Sequence, residues 1–201
     1  MILRAFVCLI AAGMTITASP AAAPQSTSSA QAFDRAAADS AHRKFQKIQA
    51  NAQKSAPDQR PTTFTEREIN AYIASPHVRL PRGVQRVRFT GNSGVITTDA
   101  TVNFDQVTEG ARSNNPLLAL FSGTHQVQVV SHASASGGQA QIQIDKVLIN
   151  GVQVPRMALE FFINKYIKPK YPELGLDSRI NLPERIDTAT VGNHVLAVTQ
   201  K

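Results

Sequence analysis

The chain has 201 residues, of which 42% are hydrophobic, an ordinary globular proportion that suits one domain with an ordered core. Its 21 Lys and Arg against 14 Asp and Glu give a net charge of +7, which favours anionic partners such as lipid headgroups or cell-wall polymers. With 6% aromatic residues and no Trp there are few platforms for stacking bases, so nucleic acid is not expected as a partner.

In chain order, Arg4 precedes an apolar run over residues 5–16, and Thr17-Ala18-Ser19-Pro20-Ala21-Ala22-Ala23-Pro24 follows. Charged, apolar and then small residues is the order of a secretory signal. The run is short against the roughly 20 residues a spanning helix needs, so cleavage near Ala21 or Ala22 is expected, because Pro24 obstructs a cut after Ala23. The resulting protein is periplasmic or secreted, and membrane-tethered if the signal is retained. The single cysteine, Cys8, leaves with the signal, and Val7 before it fits no lipoprotein pattern. No disulfide framework or thiolate metal site is then available. The expected organisation is a signal peptide over 1–22, a flexible linker over 23–32, an amphipathic helix and linker over 33–60, and a single α+β domain over 61–201.

Within 33–54, Phe33, Ala37, Ala41, Phe45 and Ile48 recur at spacings of three and four beside Arg35, Arg43, Lys44, Lys47 and Lys54. This predicts a helix with one narrow docking face, packed on the domain or carried as a stalk. Pro57 and Pro61 close it. A second helix opens at Thr65, an N-cap with Glu68 at the capping-box position and Phe64 placed to staple against Ile69. Glu66 and Glu68, two apart on a helix, do not face each other, so capping and dipole complementation account for them.

Alternation then predicts strands. Val87 and Phe89 alternate with Arg86 and Arg88; Gly91-Asn92-Ser93-Gly94 supplies hairpin chemistry; and 95–107 carries Ile96, Ala100, Val102 and Phe104 on one face. Asp99, Asn103 and Asp105 lack the glycine turn and terminal glutamate of a calcium loop and read as a solvated face. The connection over 109–123 contains Leu117-Leu118-Ala119-Leu120-Phe121, either a plug for one end of the sheet or a hydrophobic tip that meets lipid. A strand over 124–135 turns at Ser136-Gly137-Gly138 into another from Gln139, which runs through Ile142, Ile144, Val147, Leu148 and Ile149 to a corner at Gly151 to Pro155.

Beyond Pro155, residues 156–167 form the most apolar helix expected. Met157, Leu159, Phe161, Phe162, Ile163, Tyr166 and Ile167 leave only Arg156, Glu160, Asn164 and Lys165 as a polar edge. Such a helix must be covered on most sides, as a core helix or as the wall of a lipid groove. Lys165, Lys168 and Lys170 complement its C-terminus and suit a phosphate headgroup. A last hairpin runs over 186–191 and 194–199 around Gly192-Asn193.

The catalytic and metal-binding patterns are missing. His42, His77, His125, His132 and His194 include no i, i+4 pair, and there is no nucleophile elbow, phosphate-cradling loop or dinucleotide fingerprint. No catalytic residue, metal or cofactor is expected, and a hydrolase assembled from scattered residues is the weakest reading.

The order of Phe64-Thr65-Glu66-Arg67-Glu68-Ile69-Asn70-Ala71-Tyr72-Ile73, alternating hairpins, Val152-Gln153-Val154-Pro155 with its oily helix, and Leu182-Pro183-Glu184-Arg185-Ile186 resembles the YpmS-like and LmeA-like bacterial envelope domains, which are similar in style to tubular lipid-binding folds. The resemblance spans roughly 63–199. It implies a strongly curved antiparallel β-sheet wrapped on a long apolar helix, with a lipid-accommodating groove between them and no catalytic residue.

The resulting expectation is an exported, non-enzymatic protein holding a lipid or other amphiphile between sheet and helix, with a role in envelope maintenance. Phe161, Phe162, Ile163 and Tyr166 form the helix side of the site and Ile142, Ile144, Val102 and Phe104 the sheet side. An anionic membrane surface or envelope polymer is the further partner considered. The rival expectation is an envelope assembly or scaffold protein with a filled core and no small ligand.

Overall fold

The computed structural model describes residues 34–108 and 121–201. The expected signal peptide, the linker, Phe33 and the run from Leu117 to Leu120 lie outside the described residues. In chain order the elements are α1 (Arg35–Ala52), β1 (Thr62–Thr65), α2 (Glu66–Ile73), β2 (Val84–Asn92), β3 (Val95–Asn103), α3 (Phe104–Val107), β4 (Thr124–Ser136), β5 (Gln139–Ile149), β6 (Val152–Gln153), α4 (Arg156–Phe162), a π-helical turn (Ile163–Ile167), β7 (Asp177–Asn181), β8 (Ile186–Val191) and β9 (Val195–Gln200).

The fold is α+β, with one antiparallel sheet of nine strands among the described residues. The order β1-β9-β8-β4-β3-β2 forms its main path, and β5 pairs with β4, β6 and β7. β4 is the hinge of this topology. Its residues 124–132 pair with β3, while Ala135 pairs with Ala189 of β8 farther along the strand.

Three hairpin corners explain why neighbouring strands fold back so tightly. Ser93-Gly94, Gly137-Gly138 and Asn150-Gly151 each place two consecutive residues at positive φ, the requirement of a type I′ turn whose twist matches the flanking strands. The expected strand over 95–107 ends earlier, at Asn103. There the Asn103 side chain accepts a hydrogen bond from Gln106 N at 3.0 Å and caps α3, an option open to Asn that a ladder residue does not use. Phe104 stays buried at the start of α3.

β5 changes phase at Asp145. Ala140, Ile142 and Ile144 lie inward, then Val147 and Ile149, because Ile144 pairs with Ser131 and Lys146 with the adjacent Val130, leaving Asp145 as an extra bulged residue. Its carboxylate meets His132 Nδ1 at 2.7 Å.

Two apolar clusters form on one pleat face, side by side. On β3, Ala100 and Val102 belong to the cluster under α4, while Ile96, of the same parity, faces the region under α1 and α2. On β4, Val127 and Val129 join the first cluster and Ala135 the second. The opposite face is polar, with Gln128 Nε2 donating to Asp99 at 2.8 Å and Gln126 Nε2 to Thr101 at 3.0 Å.

The segment 156–167 departs from the expected long, mostly covered helix. It is helical throughout, yet α-helical for only seven residues before the π turn, and only Ala158, Leu159 and Phe162 of α4 are buried. Met157 and Phe161 are exposed. A single sheet face supports one stripe of a helix, so apolar residues off that stripe are left in solvent.

Candidate functional site: an apolar cavity under the helical pair

The residues expected to line a groove divide into three groups. Val102, Phe104, Ile144, Phe162, Ile163 and Tyr166 do meet, in the cluster under α4. That meeting place is packed: Phe104 and Phe162 sit edge to face at 5.7 Å, Phe121 stacks on Phe162 at 4.3 Å, and Tyr166 lies 5.2 Å from Phe162. Rings at these separations and angles pack directly on one another. Ile142 is buried beside a small recess between β4, β5 and β8 instead, and Phe161 is 47% exposed.

Empty space lies elsewhere, between the helical pair and the second cluster. An apolar cavity of about 70 Å³ is roofed by Phe45 and Ile48 of α1 and Ile69 and Ile73 of α2. Phe89, Ile96, Ala189, Val191 and Val198 contribute from the strands. A water molecule needs roughly 10–15 Å³ and several polar partners. The cavity has the room and lacks the partners along its hydrocarbon walls, so burying apolar groups there is favoured over hydrating it.

Why the helices stand off the sheet here follows from how they are held. Asn70 of α2 grips the edge strand β2 through both backbone groups of Phe89: Asn70 Nδ2 donates to Phe89 O at 2.8 Å, and Phe89 N donates to Asn70 Oδ1 at 2.7 Å. At the other end, buried Gln200 of β9 donates to Ile48 O at 2.9 Å and to Glu184 O at 2.7 Å, and accepts from Asn51 Nδ2 at 2.8 Å. Aromatic contacts lie between these anchors. Phe45 packs on Phe64 at 4.6 Å and on Tyr72 at 4.8 Å.

A polar collar marks the rim. Glu66 Oε2 lies 2.7 Å from His194 Nδ1 and accepts a hydrogen bond from Gly91 N at 3.2 Å. Glu66 N donates to His194 O, and His194 N donates to Gly91 O, each at 2.8 Å. The tips of the β2–β3 and β8–β9 hairpins are thereby stitched to the start of α2. Glu66 and His194 are the two charged or titratable residues lining the cavity. The sequence assigns Glu66 to capping and dipole complementation and His194 to the start of the last strand, since nothing local joins positions 128 residues apart.

A second depression of about 360 Å³ is polar and open, between α4 and the loop before β7. Its Arg156 already pairs with Glu160 at 2.9 Å and Asp177 at 3.3 Å, so these charges satisfy one another. No group of three or more His, Cys, Asp or Glu side chains among the described residues could hold a metal ion. No helix among them is long and apolar enough to cross a membrane.

Compared with known protein families, curated proteins and solved structures, the chain matches none.

Proposed function

We propose that this is an exported, non-enzymatic binding protein that shelters the apolar end of a lipid or other amphiphile between its sheet and its helical pair, in the service of envelope maintenance. The observation that carries the reading is the hydrocarbon-lined cavity with its charged residues confined to the Glu66–His194 rim. Each methylene buried contributes about 0.8 kcal/mol, so a few of them give useful affinity without a specific polar contact. An engineered cavity of roughly 150 Å³ admits benzene; at about 70 Å³ this one takes a chain terminus or a short chain unless the helices move apart. A polar headgroup then remains at the rim. In this reading the sheet curves around the helical layer, and the ligand lies under α1 and α2 instead of under α4.

The filled-core scaffold is the second reading, favoured by the interlocked Phe104, Phe121 and Phe162 rings where a groove was expected. Native mass spectrometry with lipid extraction, followed by titration with a fluorescent fatty acid, separates the two. Amphiphile binding predicts saturable uptake, and Ala189→Leu, which adds bulk at the buried wall, lowers it at least tenfold while the far-UV spectrum is kept. A protein that purifies without amphiphile and takes up none leaves the scaffold reading standing.

A further inference from the structure

Val152, Met157 and Phe161 are the large hydrophobic residues left most exposed among the described residues, at 67%, 61% and 47%. All three come from one ten-residue stretch. Burial of Ala158, Leu159 and Phe162 fixes which side of α4 meets the sheet, and Met157 and Phe161, one turn apart, share the side left over. Val152 stands on the adjoining hairpin strand β6. Lys165 follows Phe161 by one further turn, and Lys168 follows within the next; both are exposed. Across 152–170 the chain carries Arg156, Lys165, Lys168 and Lys170 against Glu160 as its one carboxylate. Arg156 is occupied by Glu160 and Asp177, so the cations that flank the exposed apolar residues are Lys165 and Lys168.

We propose that the Val152, Met157 and Phe161 face docks on an anionic phospholipid bilayer, the three apolar side chains entering the interfacial layer while Lys165 and Lys168 meet headgroup phosphates. An apolar edge flanked by cations is the composition of segments that lie in a membrane interface, where apolar insertion and attraction to anionic lipid act together. A second copy of the chain fits less well. A two-fold contact would bring Lys165 and Lys168 toward their own counterparts, and three side chains fall short of the roughly 800 Å² per partner of a stable interface. This face is separate from the cavity, so vesicle docking and amphiphile uptake are read independently.

The test places an environment-sensitive fluorophore on Asn164→Cys, one turn from Phe161, in the full chain carrying Cys8→Ser. A control probe on Gln46→Cys sits on exposed α1. With vesicles of phosphatidylglycerol and phosphatidylcholine the Asn164 probe shifts to the blue and the Gln46 probe does not; with phosphatidylcholine alone neither shifts. Phe161→Asp lowers the apparent affinity at least tenfold, and Lys165→Glu with Lys168→Glu abolishes the preference for anionic vesicles. Docking is overturned if the Asn164 probe stays unshifted on anionic vesicles, if both probes shift alike, if Phe161→Asp leaves the shift unchanged, or if the face is buried in a concentration-dependent dimer.

Discussion

Burial pushes the Glu68 carboxyl up, yet hydrogen bonds from Lys44, Ser40 and the Thr65 N–H, together with the Lys44 charge, outweigh it and hold the group at about 2. Lys44 Nζ lies 2.7 Å from each carboxylate oxygen and Ser40 Oγ 2.6 Å from one of them, so a single side chain starts α2 and fastens α1 to it. A carboxyl lowered in the folded state stabilises the fold fully above its ordinary value of 4.5, and that contribution is lost as the pH falls through about 2. Glu68→Gln should therefore cost about 2–3 kcal/mol at pH 7. Urea denaturation of the variant and the parent should converge between pH 4.5 and 2. A gap that persists at the acid end would assign the loss to shape instead of charge. The capping box itself was legible from the Thr65 and Glu68 spacing, because a cap is local. Lys44 and Ser40, 24 and 28 residues away, were invisible for the opposite reason.

The strands show how far period and turn chemistry reach at the level of single elements. Alternation located β3, β4 and β5, and paired positive-φ residues marked their corners. Even the bulge at Asp145 left a trace, in the switch of apolar positions from Ile142 and Ile144 to Val147 and Ile149. The end of β3 and the exposure of Met157 and Phe161 were beyond it, since each depends on which neighbour arrives. For α1 the decisive neighbour is Gln200, which is buried and satisfies the Ile48 carbonyl, the Glu184 carbonyl and Asn51 together. Gln200→Ala leaves buried partners unmet, at about 1–3 kcal/mol. The expected outcome is faster amide exchange along residues 45–52 of α1 with little change in β3 or β4; uniform loss of protection throughout the sheet would show that the latch is not local to α1.

β4 belongs to both apolar clusters, through Val127 and Val129 on one side and Ala135 on the other, so neither cluster can be released without disturbing the strand that carries it. One cooperative transition follows for the whole molecule. The chain has three tyrosines and no Trp; Tyr72 packs on the cluster under the helical pair and Tyr166 on the one under α4. In Tyr72→Phe and in Tyr166→Phe, each also carrying Tyr171→Phe, the midpoint from the one remaining tyrosine's fluorescence should coincide with that from far-UV circular dichroism. Separate midpoints in either variant would mean that the two clusters melt as independent units.

An alternating pattern, a capping box and residues that tolerate positive φ are written into short stretches of chain, and they suffice for an α+β protein with antiparallel hairpins because each acts over a few residues. Whether an interior is full or hollow is different in kind. It is the residue left when side chains from distant positions are packed together: Phe104, Phe121 and Phe162 close one space, while Asn70 and Gln200 hold α1 and α2 over another. That balance of volumes exists only once the chain is folded, so the oily segment 156–167 by itself does not tell how the space beneath it is filled, and the apolar cavity lies under the neighbouring helical pair on the same sheet face.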